Sequence, residues 1–305
     1  MTITKPVLAV DCDFSKLDFS KGILAMPKID GVRGLHLYGK PSLTGRSLKP
    51  FGNKLVPLVF SNLEGIDGEL TYGDSTASDL CRTTTSVVNT HDDDRAHSLV
   101  LNAFDYITPD TVHLGYLARY EALQQLLLTN YNTNVRLIPY QVISSLAELL
   151  AYEANCLQQG YEGVILRSPD GIYKNGRTTL REGTYLRIKR FTQEDAIVLS
   201  LVEAMENTNE AVINELGNTE RSFHQDNLVP KSMIGSLICK DIKSGQTITV
   251  GPGKLDHSLR KYYWDNPSEL VGKTISYKFF PVGIKDKLRF ATYVCTRDDS
   301  DLVDE

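Results

Sequence analysis

The chain has 305 residues, 41% of them hydrophobic and 23% charged, with a formal net charge of −5 at pH 7. That length accommodates two domains with separate cores, and the absence of a long apolar run or a secretory leader pattern leads us to expect a cytoplasmic protein with no membrane association. Five scattered cysteines, Cys12, Cys81, Cys156, Cys239 and Cys295, form no C-x-x-C pair, which argues against a disulfide framework or a zinc ribbon and for reduced, mostly buried thiols.

In chain order, the first notable segment is "AMPKIDGVRG", residues 25–34, where an apolar approach ends in Lys28, Asp30 and Arg33 around Gly31. One reading is a charged surface turn; the other is a reactive lysine. A free lysine titrates near about 10.4 and is a poor nucleophile at neutral pH. Burial or a neighbouring positive charge must therefore hold it neutral part of the time, and "ILAMP" before it offers burial. Gly31 permits a tight approach of the backbone, and Arg33 carries a fork of donors suited to phosphate or ribose oxygens.

Residues 55–72, "LVPLVFSNLEGIDGELTY", and 98–107, "SLVLNAFDYI", read as buried strands. Between them "STASDLCRTTTSVVNT" predicts a helix, followed by "HDDDRAH". His91, Asp92 and His97 in that loop are metal-ligand types, but the run of like carboxylates favours a solvated turn. Residues 116–130 carry leucines and tyrosines at helical spacing. Residues 144–159 open with a capping box, Ser145 and Glu148, and stop at Gly160, predicting a second helix. The strands "YEGVILRS" and "GTYLRIKRF" follow, joined by a Gly- and Arg-bearing loop. Beyond them "DAIVLSLVEAME", "MIGSLICKDI", "QTITVGPG", "TISYKFFPVG" and "RFATYVCTRD" predict a small Greek-key barrel of about five short strands. We place a domain boundary near residue 190, giving domains 1–190 and 191–305.

The acidic net charge conceals three basic segments. Lys28, Arg33, Lys40, Arg46, Lys49 and Lys54 face Asp30 alone; Lys174, Arg177, Arg181, Arg187, Lys189 and Arg190 face Glu182 alone; and from Lys254 to Arg289 basic residues outnumber acidic ones eight to four. Such segments suit a protein that grips a polyanion on one face, or they are three solvated loops.

The pattern K-x-D-G-x-R formed by Lys28, Asp30, Gly31 and Arg33 resembles the signature of the covalent nucleotidyltransferases, the superfamily of ATP-dependent DNA ligases, RNA ligases and mRNA capping enzymes. Companion motifs follow in order: "IDGEL" with Asp67, Gly68 and Glu69, "AFDYI" with Phe104 and Asp105, "YEGVILR" with Glu162, and "YLRIKR" with Arg187 and Lys189. Arg187 and Lys189 alternate on a strand and so share a face. The C-terminal segments, ending in "LRFATYVCTRDD", resemble the OB domain of small, bacteriophage-type ATP-dependent DNA ligases. The sequence departs from the pattern at Arg187, where lysine is usual, and at Ser300, also a usual lysine.

The resemblance implies an α+β fold: an N-terminal nucleotidyltransferase domain, ATP-grasp-like, with packed antiparallel sheets and helices, and a C-terminal OB-fold β-barrel. It implies a ligase that seals nicks in duplex DNA through a lysyl-AMP, using ATP and Mg²⁺, with Mn²⁺ as the alternative metal. Lys28 is then the nucleophile and Asp30 its catalytic companion. Met26, Ile29, Arg33, Glu69, Phe104, Arg187 and Lys189 bind the nucleotide, Glu69 and Glu162 hold metal, and Arg46 reads the 5′-phosphate of the nick. Arg297 and Asp299 orient pyrophosphate on closure of the second domain. We expect a monomer that clamps DNA with these two domains alone, in the cytoplasm of a host cell for a phage protein. Rival readings are an RNA ligase, a capping-type guanylyltransferase, and a non-enzymatic OB-fold DNA-binding protein.

Overall fold

The chain divides into two units, Met1–Lys189 and Arg190–Glu305. The structure, a computed structural model, describes residues 5–129, 132–280 and 288–297, without the Arg289 side chain. In chain order the first unit contains β1 (Val7–Leu8), β2 (Val10–Asp11), β3 (Ile23–Lys28), β4 (Val32–Leu35), α1 (Val56–Val59), β5 (Ile66–Tyr72), α2 (Leu80–Asn89) and β6 (Leu99–Tyr106). It continues with α3 (Tyr116–Thr129), β7 (Val135–Leu137), β8 (Gln141–Ile143), α4 (Leu146–Gln158), β9 (Gly163–Arg167), β10 (Gly176–Arg177) and β11 (Tyr185–Lys189).

Two larger sheets result, ordered β2-β11-β9-β3-β8 and β4-β5-β6-β7. Pairing is antiparallel except at one edge of each, β2 with β11 and β6 with β7. The first sheet shows how period-two alternation sorts its residues. Ile23 and Ala25 of β3, Val164 and Leu166 of β9, and Leu186 and Ile188 of β11 pack with Leu149 and Cys156 of α4 in one apolar cluster. The alternate residues, among them Met26, Lys28, Ile165, Arg167, Tyr185 and Arg187, line a pocket instead. The second sheet has its own core, in which Ile66, Leu70, Leu99 and Leu101 pack with Val56, Phe60, Val87, Val88 and Leu123.

Most of the expected elements form, with informative differences. The run 55–72 is not one strand: Val56–Val59 forms a helical turn, and the strand begins at Ile66. Pro57 in the first turn removes a donor that a strand would need, and the Asn53 side chain accepts from the Leu55 N–H at 3.0 Å. At α4, Ser145 Oγ accepts from Glu148 N–H at 3.2 Å, but the Glu148 carboxylate reaches back to the N–H of Ser144 rather than of the cap itself. The "HDDDRAH" segment carries an exposed His91–Asp92 pair and a 3₁₀ turn over Asp94–Ser98. Among the described residues no group of three or more His, Cys, Asp or Glu is arranged to hold a metal.

The second unit holds β12 (Thr192–Asn207), β13 (Ala211–Ile213), β14 (Thr219–Arg221), β15 (Leu228–Asp241), β16 (Thr247–Val250), α5 (His257–Asp265), β17 (Thr274–Phe280) and β18 (Arg289–Thr296). Its main sheet runs β16-β15-β12-β17-β18. The outer strands meet: Gly251, just past β16, donates to Ala291 O at 2.8 Å and accepts from Tyr293 N–H at 2.9 Å. The order and this parallel bridge are the roll of an OB-like domain around Val198, Ile234, Leu237, Val250, Leu270 and Ile275. Two of the strands are long rather than short. β12 and β15 run 16 and 14 residues, accommodated by register shifts, and the β13–β14 hairpin lies between them in sequence. α5, unexpected from the sequence, is capped by Asp256, which accepts from Leu259 N–H at 2.8 Å. No described helix is long and apolar enough to cross a membrane.

Candidate active site

The chain crosses from the first sheet to the second between Lys28, the last residue of β3, and Val32, the first of β4. That crossing dictates Gly31. A Cβ there would stand 2.2 Å from Leu70 O and 3.0 Å from Glu69 Cγ, so no side chain fits where the backbone passes β5. Gly163 at the start of β9 is required similarly: its φ is +155° and a Cβ would meet Ile188 O at 2.1 Å. Lys28 and Gly163 are register partners, and Glu162 N–H donates to Lys28 O at 3.0 Å. Lys28 and Glu162 are thus fixed side by side through the backbone.

A cavity of about 280 Å³ opens there. The first sheet contributes Met26, Lys28, Ile165, Arg167, Tyr185 and Arg187; the second contributes Arg33, Glu69 and Phe104. Ile29, Arg46 and Arg177 also line it. Its chemistry is divided. Met26, Ile29 and Phe104 belong to an apolar cluster with Leu80, Tyr116, Tyr120 and Ile138. Tyr116 O–H donates to Phe104 O at 2.7 Å and approaches Met26 Sδ at 3.4 Å, bracing this wall. Opposite in character are its cations: burial, then the guanidinium groups of Arg177, Arg33 and Arg187, pull Arg46 below its usual value. Arginines so close together, with a lysine among them, form a site for a polyanion.

Lys28 Nζ donates to Glu162 Oε2, and Lys189 Nζ lies 3.9 Å from Glu162 Oε1. Burial acts to lower the Lys28 pKa, but the carboxylates of Glu162 and Glu69, the hydrogen bond to Glu162 and the charge of Asp30 outweigh it and raise it above the ordinary lysine value. Of the two means by which the sequence allows Lys28 to be held neutral, burial or a neighbouring positive charge, burial is present, but the paired carboxylates outweigh it. Lys189 is lowered, by burial and by the charges of Arg187 and Lys28. Burial pushes the Glu69 carboxyl up to about 7, against the pull of Lys28 and Arg33.

Arg33 is clamped by Asp67, with Nε to Oδ1 and Nη2 to Oδ2 both at 2.5 Å, and its Cζ lies 4.8 Å from the centre of the Phe104 ring. Asp105 grips Arg119 at 2.8 and 3.0 Å. Burial acts to raise Asp105, but Arg119 and Arg167 hold it below the usual carboxylate range.

Of the residues expected from the sequence, Met26, Lys28, Ile29, Arg33, Arg46, Glu69, Phe104 and Arg187 line the pocket, and Glu162 and Lys189 adjoin Lys28. Asp30 is near enough to influence Lys28 but is not part of the lining. Arg297 belongs to the second unit, where Nε donates to Asp195 Oδ1 at 3.1 Å; Asp299 and Ser300 lie outside the described residues. Sequence reasoning missed Arg167, Arg177 and Tyr185. The buried Arg167 has its Cζ 3.4 Å from the centre of the Tyr185 ring, and Arg177 Nη1 donates to Ala9 O at 2.6 Å. Arg167 was legible by parity, standing two residues beyond Ile165 and four beyond Gly163 on one strand.

A family model for the ATP dependent DNA ligase domain matches residues 6–189, and one for the DNA ligase OB-like domain matches residues 229–297. No curated protein matches the sequence. Among solved structures, a Chlorella virus DNA ligase-adenylate is 27% identical with a TM-score of 0.53, covering 97% of this chain and 100% of that one. A Lig E DNA ligase, 20% identical with a TM-score of 0.74 over 97% of this chain and 100% of its own, shares the fold.

Proposed function

We infer the reaction from a premise and a pocket: the chain belongs to the ATP-dependent DNA ligases, and we propose that it seals nicks in duplex DNA through a lysyl-AMP intermediate. The observation that carries the reading is Lys28 at the head of a cavity lined by Arg33, Arg46, Arg167, Arg177 and Arg187, with Glu69 and Glu162 beside it. In the first step Lys28 Nζ, having lost a proton, forms a bond to the α-phosphorus of ATP as the bond to pyrophosphate breaks. The 5′-phosphate of the nick then attacks that phosphorus and Lys28 leaves. Finally the 3′-hydroxyl attacks the 5′-phosphorus, closing the phosphodiester and releasing AMP.

Phe104, Met26 and Ile29 receive the base; Arg33, set by Asp67, and Glu69 address the ribose, with Asp30 as the companion of Lys28. Arg187 and Lys189 neutralise the α-phosphate, and Arg46 receives the nick phosphate. Arg297 and Asp299 are assigned to pyrophosphate. Glu69 and Glu162 fit a divalent cation by the chemistry of the donor set: both are carboxylates beside Lys28, and hard divalent cations take oxygen ligands. Mg²⁺ bound by them would supply positive charge for the α-phosphate and draw Glu162 away from the lysine proton.

The test is incubation with α-labelled ATP and Mg²⁺ followed by a chase with nicked duplex DNA. Wild type is expected to form an acid-stable adduct that the DNA discharges, and Lys28→Ala to form none. Equal labelling of both proteins removes the nucleophile assignment. Labelling by GTP in place of ATP, or discharge only by nicked RNA, would favour the capping or RNA-ligase reading.

A further inference from the structure

Strands β2 and β11 run parallel with Asp11 opposite Arg187, and the next amide, Cys12 N–H, donates to Arg187 O at 2.9 Å. Across this register Arg187 Nε donates to Asp11 Oδ1 at 2.6 Å. The arginine side chain is one-quarter exposed and lines the pocket, whereas the aspartate is 68% exposed. An ion pair so accessible to water contributes little to folding. Its carboxylate also adds negative charge to a wall otherwise built to attract anions, with Lys189 and Arg177 both near enough to act on it. Neither stability nor anion attraction accounts for an acid at this position; geometry does. A guanidinium is a rigid planar fork that gains over an ammonium only when its plane is fixed. Engagement at Nε fixes the plane and does not consume the two terminal nitrogens.

We propose that Asp11 is a positioning residue for phosphoryl transfer: it holds the Arg187 guanidinium through Nε so that Nη1 and Nη2 face a phosphate of the bound nucleotide together. This rests on the reading of Arg187 as an α-phosphate ligand. Because Arg187 also holds the Asp11 carboxyl below its usual range, the tie persists throughout the working pH of a ligase.

The experiment is single-turnover adenylylation by the full chain with labelled ATP and Mg²⁺, comparing wild type with Asp11→Asn, Asp11→Glu, Arg187→Lys, Arg187→Ala and the double variant Asp11→Asn/Arg187→Lys. Misplacement of a positioned group by an ångström costs up to about a hundredfold. Asp11→Asn is therefore expected to lower the rate at saturating ATP by about tenfold, with little change in half-saturating ATP and an unchanged unfolding midpoint, and Asp11→Glu to recover part of it. In the Arg187→Lys background Asp11→Asn is expected to cost nothing further, since an ammonium has no plane to fix. A faster Asp11→Asn enzyme, or an equal loss in both backgrounds, overturns the proposal. Arg187→Ala at the wild-type rate overturns the phosphate role itself; Arg187→Ala impaired with Asp11→Asn unimpaired overturns the role of Asp11 alone.

Discussion

An arginine–aspartate pair occurs in each unit at similar separation, Arg119–Asp105 at 2.8 Å in the first and Arg297–Asp195 at 3.1 Å in the second. The former is 1% and 0% exposed, the latter 33% and 30%. Distance is nearly the same, so environment decides what each pair is worth. Inside the first unit, removal of one partner strands a charge without solvent; in the second, water replaces it. The ligase site uses both: Arg33 is fixed by the buried Asp67, whereas Arg187 is tied to the exposed Asp11.

The sharpest test of that contrast separates charge from chemistry at Lys28. Lys28→Arg preserves a cation beside Glu162, so the fold is expected to survive. Adduct formation should nevertheless fall below detection, because a guanidinium does not deprotonate in a protein; measurable adduct would show that another residue carries AMP. Next in size, Asp105→Ala is expected to lower unfolding free energy by about 3–5 kcal/mol in urea titrations, leaving Arg119 buried and unpaired. A loss no larger than that of a surface pair would abolish the distinction drawn between the units.

Glu69 supplies a pH-dependent case of intermediate size. Its folded pKa of about 7 lies above the ordinary 4.5, so between those values the native state holds a proton that the unfolded chain has lost. Its contribution is complete below about 4.5 and fades as pH rises through 7. In the absence of nucleotide and metal, wild type should lose more stability between pH 5 and pH 8 than Glu69→Gln. Identical slopes would place the carboxyl in contact with water. The smallest effect belongs to Asp195→Ala, expected within about 1 kcal/mol of wild type.

What the sequence made legible follows the same division. The ordered motifs and their flanks named about half of the residues that line the pocket, because within a motif the functional side chains stand a few positions apart on one strand or turn, as Lys28, Asp30, Gly31 and Arg33 do. The charge state of Lys28 was not legible, since burial and Glu162 oppose each other and only their separation in space decides the outcome. Arg177 was visible only as part of a basic segment; its place in the pocket follows from the parallel pairing of β10 with β1 and from its bond to Ala9 O, 168 residues away in sequence. The helical turn in the 55–72 run was signalled by Pro57 after Asn53, and α5 by the capping Asp256, two local signs weaker than the hydrophobic patterns around them.

The alternating strands β3, β9 and β11 carry a further implication for how this enzyme can change over generations. On each, neighbouring residues serve opposite masters, the α4 core and the pocket. Substitutions can therefore be sampled at one face with the other held constant, but a single-residue insertion or deletion exchanges the two sets at once. The reading frame of these strands is immutable in a way their composition is not. Length variation should collect in connections such as the largely exposed 91–95 segment, and a library of one-codon deletions should show that division as alternating tolerance and silence along the chain.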